Sequence, residues 1–367
     1  MKKSLIAVAA LAAVGAASAQ SSVTLYGVVD AGYGVERVKN KVTTVTGNVS
    51  ATTASRTRTA GLISGGLSGS RWGLKGQEDL GNGLSAVFNV EAGFNSTNGA
   101  FNAGGFNRRS VVGLKGSFGQ VLLGRDYTPV DSIAGDYQAI SKVTEDELTK
   151  GFNTGRYSGV HYSGEFGGVG VNAFIGYDDK KTTSATGMTR TRAEGYGVGV
   201  SYSGGPVTVG AAVQQFRDKN ATTTTRKNTE YGVGATYDFT AAKLYAHYLA
   251  NDGAHADSRH EKPMQQFGVG VTVPFGAFTL GAQYAYNYWK APAGVMVAGQ
   301  ATANNDKIKG HDFALEGTYA LSKRTAFYAR AARTNSWKFK NSFVSNGVRK
   351  TAQTHTDSFA VGLRHRF

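Results

Sequence analysis

Residues 22–36 read SVTLYGVVDAGYGVE. Val23, Leu25, Val29, Ala31, Tyr33 and Val35 fall on one parity, while Thr24, Asp30 and Glu36 fall on the other. Such alternation is the pattern of a strand with one apolar and one polar face. The last segment repeats it, with Phe359, Val361, Leu363 and Phe367 opposite Arg364 and Arg366, and His365 as a polar exception. Tyr196, Val198, Val200 and Tyr202 form another row, as do Tyr231, Val233, Ala235 and Tyr237. The pattern places sixteen strands near 22–37, 70–78, 84–93, 107–116, 120–126, 156–163, 169–177, 194–203, 206–216, 229–238, 242–249, 264–273, 277–287, 311–319, 324–333 and 357–367. No amphipathic 3.6-residue pattern of useful length competes, so the chain reads as all-β.

The connections alternate as well. Short ones lie at 79–83, 117–119, 164–168, 204–205, 239–241, 274–276 and 320–323. Eight longer polar loops lie near 38–69, 94–106, 127–155, 178–193, 217–228, 250–263, 288–310 and 334–356. Short turns at one end and long loops at the other are the layout of a transmembrane barrel, and a soluble sandwich gives no reason for it. Closure leaves no unpaired amide in lipid. Tyr33, Tyr202, Tyr237, Tyr248, Tyr286 and Phe367 suit aromatic girdles at the lipid–water boundary, whereas Tyr26 shares parity with the polar row and points inward.

Of 367 residues, 50 are Gly, 18 Tyr and 19 Phe, and none is Cys. The lack of cysteine removes disulfide frameworks, thiol catalysis and thiolate metal sites. Met1-Lys2-Lys3, the apolar run Leu5–Ala16 and Ala17-Ser18-Ala19 make residues 1–19 a secretory signal, cleaved between Ala19 and Gln20, ahead of a barrel domain over 20–367. The apolar run is shorter than the roughly 18–20 residues of a spanning helix. Losing Lys2 and Lys3 lowers the formal charge from +15 to +13.

Several stretches together resemble the general porins of Gram-negative β-proteobacteria. SVTLYGVVD (22–30) is similar to that family's first strand, and SRWGLKGQEDLGNGL (70–84) to its second strand and first turn. RRSVVGL (108–114), GQVLLGR (119–125), LSKRT (321–325) and VGLRHRF (361–367) continue the likeness to the carboxyl end. The resemblance implies a homotrimer of sixteen-stranded antiparallel barrels in the outer membrane, each with a water-filled pore narrowed by an inward-folded third loop. It implies passage of small hydrophilic solutes and ions, often with anion preference. The terminal Phe367 resembles the signal read by the barrel assembly machinery, and it also fits a girdle aromatic. Lipids and lipopolysaccharide are the surrounding partners, and loop lysines and arginines have lipopolysaccharide phosphates as an alternative role to pore selectivity.

Parity places Arg71 and Lys75 opposite Trp72 and Leu74, and Arg109 and Lys115 opposite Val112 and Leu114, so all four face the lumen. On the lipid side a cation costs about 2–4 kcal/mol at mid-membrane. The four form a basic ladder on one wall, unless they serve only to balance inward acids such as Glu91, Glu230 and Glu316. Arg125 and Arg156 bracket the third loop with ambiguous parity; Arg156 ranks higher, because the family often has a basic residue there. The loop carries Asp131, Asp136, Glu145, Asp146 and Glu147. By themselves these residues read as a solvated loop. With the loop folded inward, as the resemblance implies, they face the basic wall and set up a transverse field.

An enzyme needs a nucleophile, a base and an orienting group at one site, and the seven histidines sit mostly in loops or at rims with no such partners. No cofactor or nucleotide motif is present, and the basic charge is too dispersed for a nucleic-acid patch. A general diffusion porin is the expected function. A substrate-specific channel is the alternative, against which the inward aromatics Tyr26, Phe174 and Tyr245 are scattered rather than aligned.

Overall fold

The computed structural model describes residues 22–102, 104–140, 155–184, 187–220, 226–252, 264–291, 296–297, 300–301, 306–344 and 348–367. The strands are β1 (Ser22–Thr46), β2 (Val49–Ser64), β3 (Arg71–Gly81), β4 (Leu84–Gly93), β5 (Arg109–Gly116), β6 (Gly119–Tyr127), β7 (Arg156–Phe166), β8 (Val169–Ser184), β9 (Gly187–Gly204) and β10 (Val207–Asn220). They continue as β11 (Arg226–Asp238), β12 (Lys243–Asn251), β13 (Met264–Phe275), β14 (Phe278–Ala291), the two-residue β15 (Met296–Val297) and β16 (Gln300–Ala301), β17 (Asp306–Ala320), β18 (Thr325–Val344) and β19 (Val348–Arg366). Among the described residues one helix, α1 (Pro129–Asp136), follows β6.

All pairings are antiparallel, and β1 closes the ring. One of its edges meets β19 from Val28↔Arg366 to Thr46↔Val348. Its other edge is shared: the first residues pair with β3, from Ser22↔Gln77 to Val28↔Arg71, and the rest with β2, from Ala31↔Ser64 to Thr46↔Val49. The ring therefore has the sixteen strands read from the sequence, and β2 is an additional strand standing above β3. At the closure Gly27 N donates to Phe367 O at 3.0 Å and Phe367 N to Gly27 O at 3.1 Å.

The wall is inside-out relative to a soluble protein. Ile175 and Leu315 are each 63% exposed, while Glu230, Gln266 and Asn287 on the opposite parity are fully buried. Lipid covers the first set, and the second set satisfies its polar atoms within the barrel. Exposed aromatics band the short-turn end (Phe166, Tyr202, Tyr237, Phe275, Tyr319 and Phe327) and recur towards the loop end at Tyr33, Tyr177 and Phe267.

Two expectations need correction. Much of the expected loops 38–69, 178–193, 217–228 and 334–356 is paired strand: β1 runs to Thr46 and returns as β2, and β18 runs to Val344 before β19 starts at Val348. These runs are mostly polar and lack the sustained alternation of the membrane band, but their threonines and valines favour extended backbone. The third loop also contains a helix. At eight residues it is too short for periodicity to announce, although Pro129 at its start and the spacing of Val130, Ile133 and Ala134 are helical signals.

Candidate functional site

Two antiparallel pairs bring the basic residues of β3 and β5 to either side of β4. Arg71 and Arg109 flank Glu91, itself 5% exposed, and Lys75 and Lys115 lie further along the same face. Arg71 Nε stands 3.6 Å from Glu91 Oε2, and Arg108 Nε donates to Glu91 Oε1. Tyr26 donates its hydroxyl to Asn89 at 2.8 Å and to Glu91 at 3.1 Å, so it does point inward. Arg109 Nη2 donates to Asp126 Oδ2 at 2.6 Å.

Balancing of the arginines by acids is thus real, but it is incomplete. Lys75 lies over the Tyr26 ring, 5.5 Å from Nζ to centroid. Neither Lys75 nor Lys115 has a carboxylate at ion-pair distance among the described residues. The guanidinium groups of Arg364 and Arg366 add their charges to that of Arg71. Of the acids named with them in the sequence, Glu316 is engaged by Arg330, and Glu230 accepts from Gln214 at 2.7 Å and Asn228 at 2.6 Å. Lys75, Arg109, Lys115, Asn89 and Gln120 line a 340 Å³ cavity, and Lys115 and Gln120 also line a 920 Å³ cavity that reaches Asp136 and Lys243.

Arg156 opens β7 directly opposite Tyr127. Its guanidinium stacks 4.1 Å from the Tyr127 ring centroid and donates to the hydroxyl, which also accepts from Arg108 Nη2 at 3.3 Å. Tyr127 therefore links Arg156 to Arg108 and, through Glu91, to Arg71. Arg125 instead donates Nε to the Asn107 carbonyl at 2.9 Å. Sequence reasoning missed Arg108 and Tyr127. Arg108 precedes its strand, where parity no longer fixes direction.

Residues 129–140 lie along the polar face of β9–β14, which is paved with glycine. A Cβ on Gly234 would sit 2.2 Å from Tyr137 Cγ, and one on Gly210 would sit 2.3 Å from the Tyr137 hydroxyl. Ile133 fills the space over Gly232, Ala139 that over Gly270 and Ile140 that over Gly281. Val130, Ile133, Ala134 and Tyr137 pack with Leu249, Met264, Trp289 and Ile308 in one apolar cluster. Two glutamines hold the backbone: Gln214 Oε1 accepts from Val130 N at 3.1 Å, and Gln283 Oε1 accepts from Ala139 N at 2.9 Å. The glycines were visible in the sequence as alternating strand positions, without any sign of what covers them.

Of the five loop acids, Asp131 lies in the first turn of α1 and Asp136 at its end, while Glu145, Asp146 and Glu147 fall outside the described residues. Burial pushes the Asp136 carboxyl above its ordinary pKa, and the charge of Lys243 opposes that shift. Phe367 sits at the ring closure beside Gly27.

Comparison with known proteins gives a consistent result. A profile of the family described as Gram-negative porin matches residues 7–337. An outer membrane porin protein of Bordetella pertussis is 32% identical, with 100% of both chains covered. Outer membrane porin protein 32 of Delftia acidovorans is also 32% identical over 100% of both chains. Among solved structures, an anion-selective porin from Comamonas acidovorans is similar at a TM-score of 0.66 and 26% identity, covering 95% of this chain and 100% of that one.

Proposed function

The chain belongs to the Gram-negative porin family, and on that footing we propose how its channel discriminates among solutes. The protein is an outer-membrane porin, and its fold and family are those of a channel rather than an enzyme. In our reading the third loop folds into the barrel along the glycine-paved wall and narrows the pore opposite the basic wall. Arg71, Lys75, Arg109, Lys115 and Arg156 give the passage an anion preference, with Asp131 and Asp136 of the third loop across from them. One observation carries this reading: the cations of β3 and β5 outnumber the acids they meet, in cavities that share Lys115 and Gln120. Fixed charge lining a wide, water-filled path selects ions without binding them tightly.

The test is a planar bilayer under a KCl gradient. We expect a large ohmic conductance with a reversal potential towards chloride. Arg71→Gln with Arg109→Gln removes two cations and leaves Asp126 without its guanidinium. The chloride-to-potassium permeability ratio is then expected to fall about two- to fivefold per charge, the scale of a 0.5–1 kcal/mol interaction in water. An unchanged ratio would rule out the basic wall as selectivity element, and block by one low-concentration solute would favour a substrate-specific channel.

The rest of the assignment rests on the family. Residues 1–19 are the export signal, three barrels form the working unit, and Phe367 is read by the assembly machinery. Deleting Phe367 also removes both backbone hydrogen bonds to Gly27. The expected result is a fall in heat-modifiable, folded barrel in outer-membrane fractions with unfolded chain accumulating in the periplasm; normal yield would show that the terminal aromatic is dispensable.

A further inference from the structure

The β1–β2 hairpin leaves one strand edge open. β2 pairs with β1 from Thr46↔Val49 to Ala31↔Ser64, and with no other strand among the described residues. Gly65 N donates to Asp30 O at 2.9 Å, which sets the phase of that ladder: odd-numbered residues of β2 bond to β1. Even-numbered ones, Ala54, Arg56 and Arg58 among them, turn their N–H and C=O groups to the open side. Residues 49–60 are all exposed. Strand edges are ordinarily blunted by shortness, proline or a bulge. β2 has 16 residues, no proline and an unbroken register. It runs on beyond the lipid-facing pair Tyr33↔Leu62, so its open amides stand in water.

The same stretch carries charges that the hairpin does not balance. Arg58 lies directly opposite Arg37, and Arg56 opposite Lys39. Like charges at facing positions weaken a strand pair. The neighbouring carboxylate, Asp357, is engaged by Lys39 and Arg333, each at 2.7 Å. Arg56 and Arg58 have no carboxylate at ion-pair distance among the described residues.

We propose that the open edge of β2 is a docking site for an extended acidic segment of another protein, added antiparallel to β2 with its acidic residues opposite Arg56 and Arg58. One occupant then meets both deficits. Its main chain bonds to the open N–H and C=O groups, as in other cases of strand addition. Residues that exchange hydrogen bonds in an antiparallel ladder also face each other, so the residues bonded to Arg56 and Arg58 are the ones whose side chains lie beside them. Acids at alternate positions therefore fit. A second copy of β2 would set arginine against arginine, and a free anion would leave the edge unpaired. The site lies outside the pore and does not depend on how the channel selects ions.

The test uses the full-length protein purified from outer membranes in detergent, with fluorescence anisotropy of labelled peptides. A peptide of alternating threonine and glutamate is expected to bind about tenfold tighter than one of threonine and lysine. It is also expected to bind about tenfold tighter than its own form N-methylated at the glutamates, which keeps the charge and removes the hydrogens aimed at β2. Arg56→Thr with Arg58→Thr is expected to weaken binding about tenfold, since each facing pair of opposite charges is worth up to about fivefold. The hairpin holds in this variant, because threonine favours strands and two like-charge contacts disappear. Ala54→Pro is the second variant. The Ala54 N–H faces the open side, so proline costs β2 no bond to β1 while it closes the edge, and binding again falls about tenfold. Equal binding of the N-methylated peptide would overturn the proposal in favour of charge attraction alone, and equal binding of the lysine peptide would overturn it too. Failure of every peptide to bind would do the same and leave Arg56 and Arg58 as guards against edge association. So would a change of oligomeric state in Ala54→Pro on native electrophoresis, which would mark the edge as a contact between copies. Conductance recorded on the same samples keeps the readings apart: a silent wild-type barrel counts against the channel, whereas anisotropy reports only on the hairpin.

Discussion

A valine at Gly234 is expected to raise single-channel conductance above that of the wild type while leaving the barrel folded. The Tyr137 ring lies flat over this glycine, with Cγ, Cδ2 and Cβ at 2.2, 2.5 and 2.6 Å from the position a Cβ would take. Of these atoms Cβ moves only with the backbone, so a rotamer change alone leaves the 2.6 Å contact in place, and the segment carrying Tyr137 must lift. Overpacking of this kind costs about 1–3 kcal/mol, enough to shift a seated-to-lifted equilibrium by one to two orders of magnitude. The strand itself is spared, because the substituted position keeps its ladder bonds and valine favours extended backbone. Gly210→Val makes a graded comparison, since its Cβ would meet only the Tyr137 hydroxyl and the outer ring atoms. Gly61→Val, where nothing lies within 4 Å, is the neutral control. A folded Gly234→Val barrel with wild-type conductance would mean that the third loop does not set the pore's width.

The second large effect is expected from Asp30→Ala, as a loss of heat resistance in detergent. Asp30 is fully buried on β1 and anchors a chain segment on either side of the ring closure. Its Oδ2 accepts from Leu67 N at 2.8 Å and Ser68 N at 2.7 Å, and its Oδ1 accepts from the Tyr328 hydroxyl at 2.9 Å. The Tyr328 hydroxyl is hemmed in as well, lying 2.2 Å from where Gly66 would carry a Cβ and 2.3 Å from the equivalent point on Gly362. Removing the carboxylate leaves these donors without an acceptor at about 1–3 kcal/mol each. The check is the temperature at which the compact, SDS-resistant band disappears. Tyr328→Phe removes one hydrogen bond and is expected to cost about 1 kcal/mol. An unaltered transition in Asp30→Ala would show that the segment after β2 needs no such anchor.

How much of this was readable beforehand depended on whether a residue touches lipid. Val23, Leu25 and Val29 had to lie on one parity because hydrocarbon tolerates nothing else there, so the strands and their number followed. Arg71, Lys75, Arg109 and Lys115 were placed on the polar face by the same constraint. Beyond the membrane it lapses: from Val38 to Thr46 valines fall among lysines and threonines on both faces of β1, and the run resembled a loop although it is paired on both edges. Arg108 and Arg156 sit at strand ends, where direction is set by Glu91 and Tyr127 rather than by pleat. The glycines at 210, 232 and 234 were legible as strand residues, but a missing side chain says nothing about which neighbour fills the gap.

The closure at β1 bears on how the protein reaches the membrane. Lys39 and Asp357, bonded across that seam, are 318 positions apart. Neighbouring strands can zip together as hairpins while the chain is still arriving, but the first strand must wait for the last. Until then the sheet has two raw edges, and each unpaired amide would cost several kcal/mol in hydrocarbon. Insertion and closure are thereby coupled in time: an unclosed sheet is stable only where water or a protein chaperone covers its edges. Long-range pairing of this kind is also slow. The rate-limiting event in the biogenesis of this channel is accordingly expected to be the meeting of its two ends rather than the formation of any single hairpin.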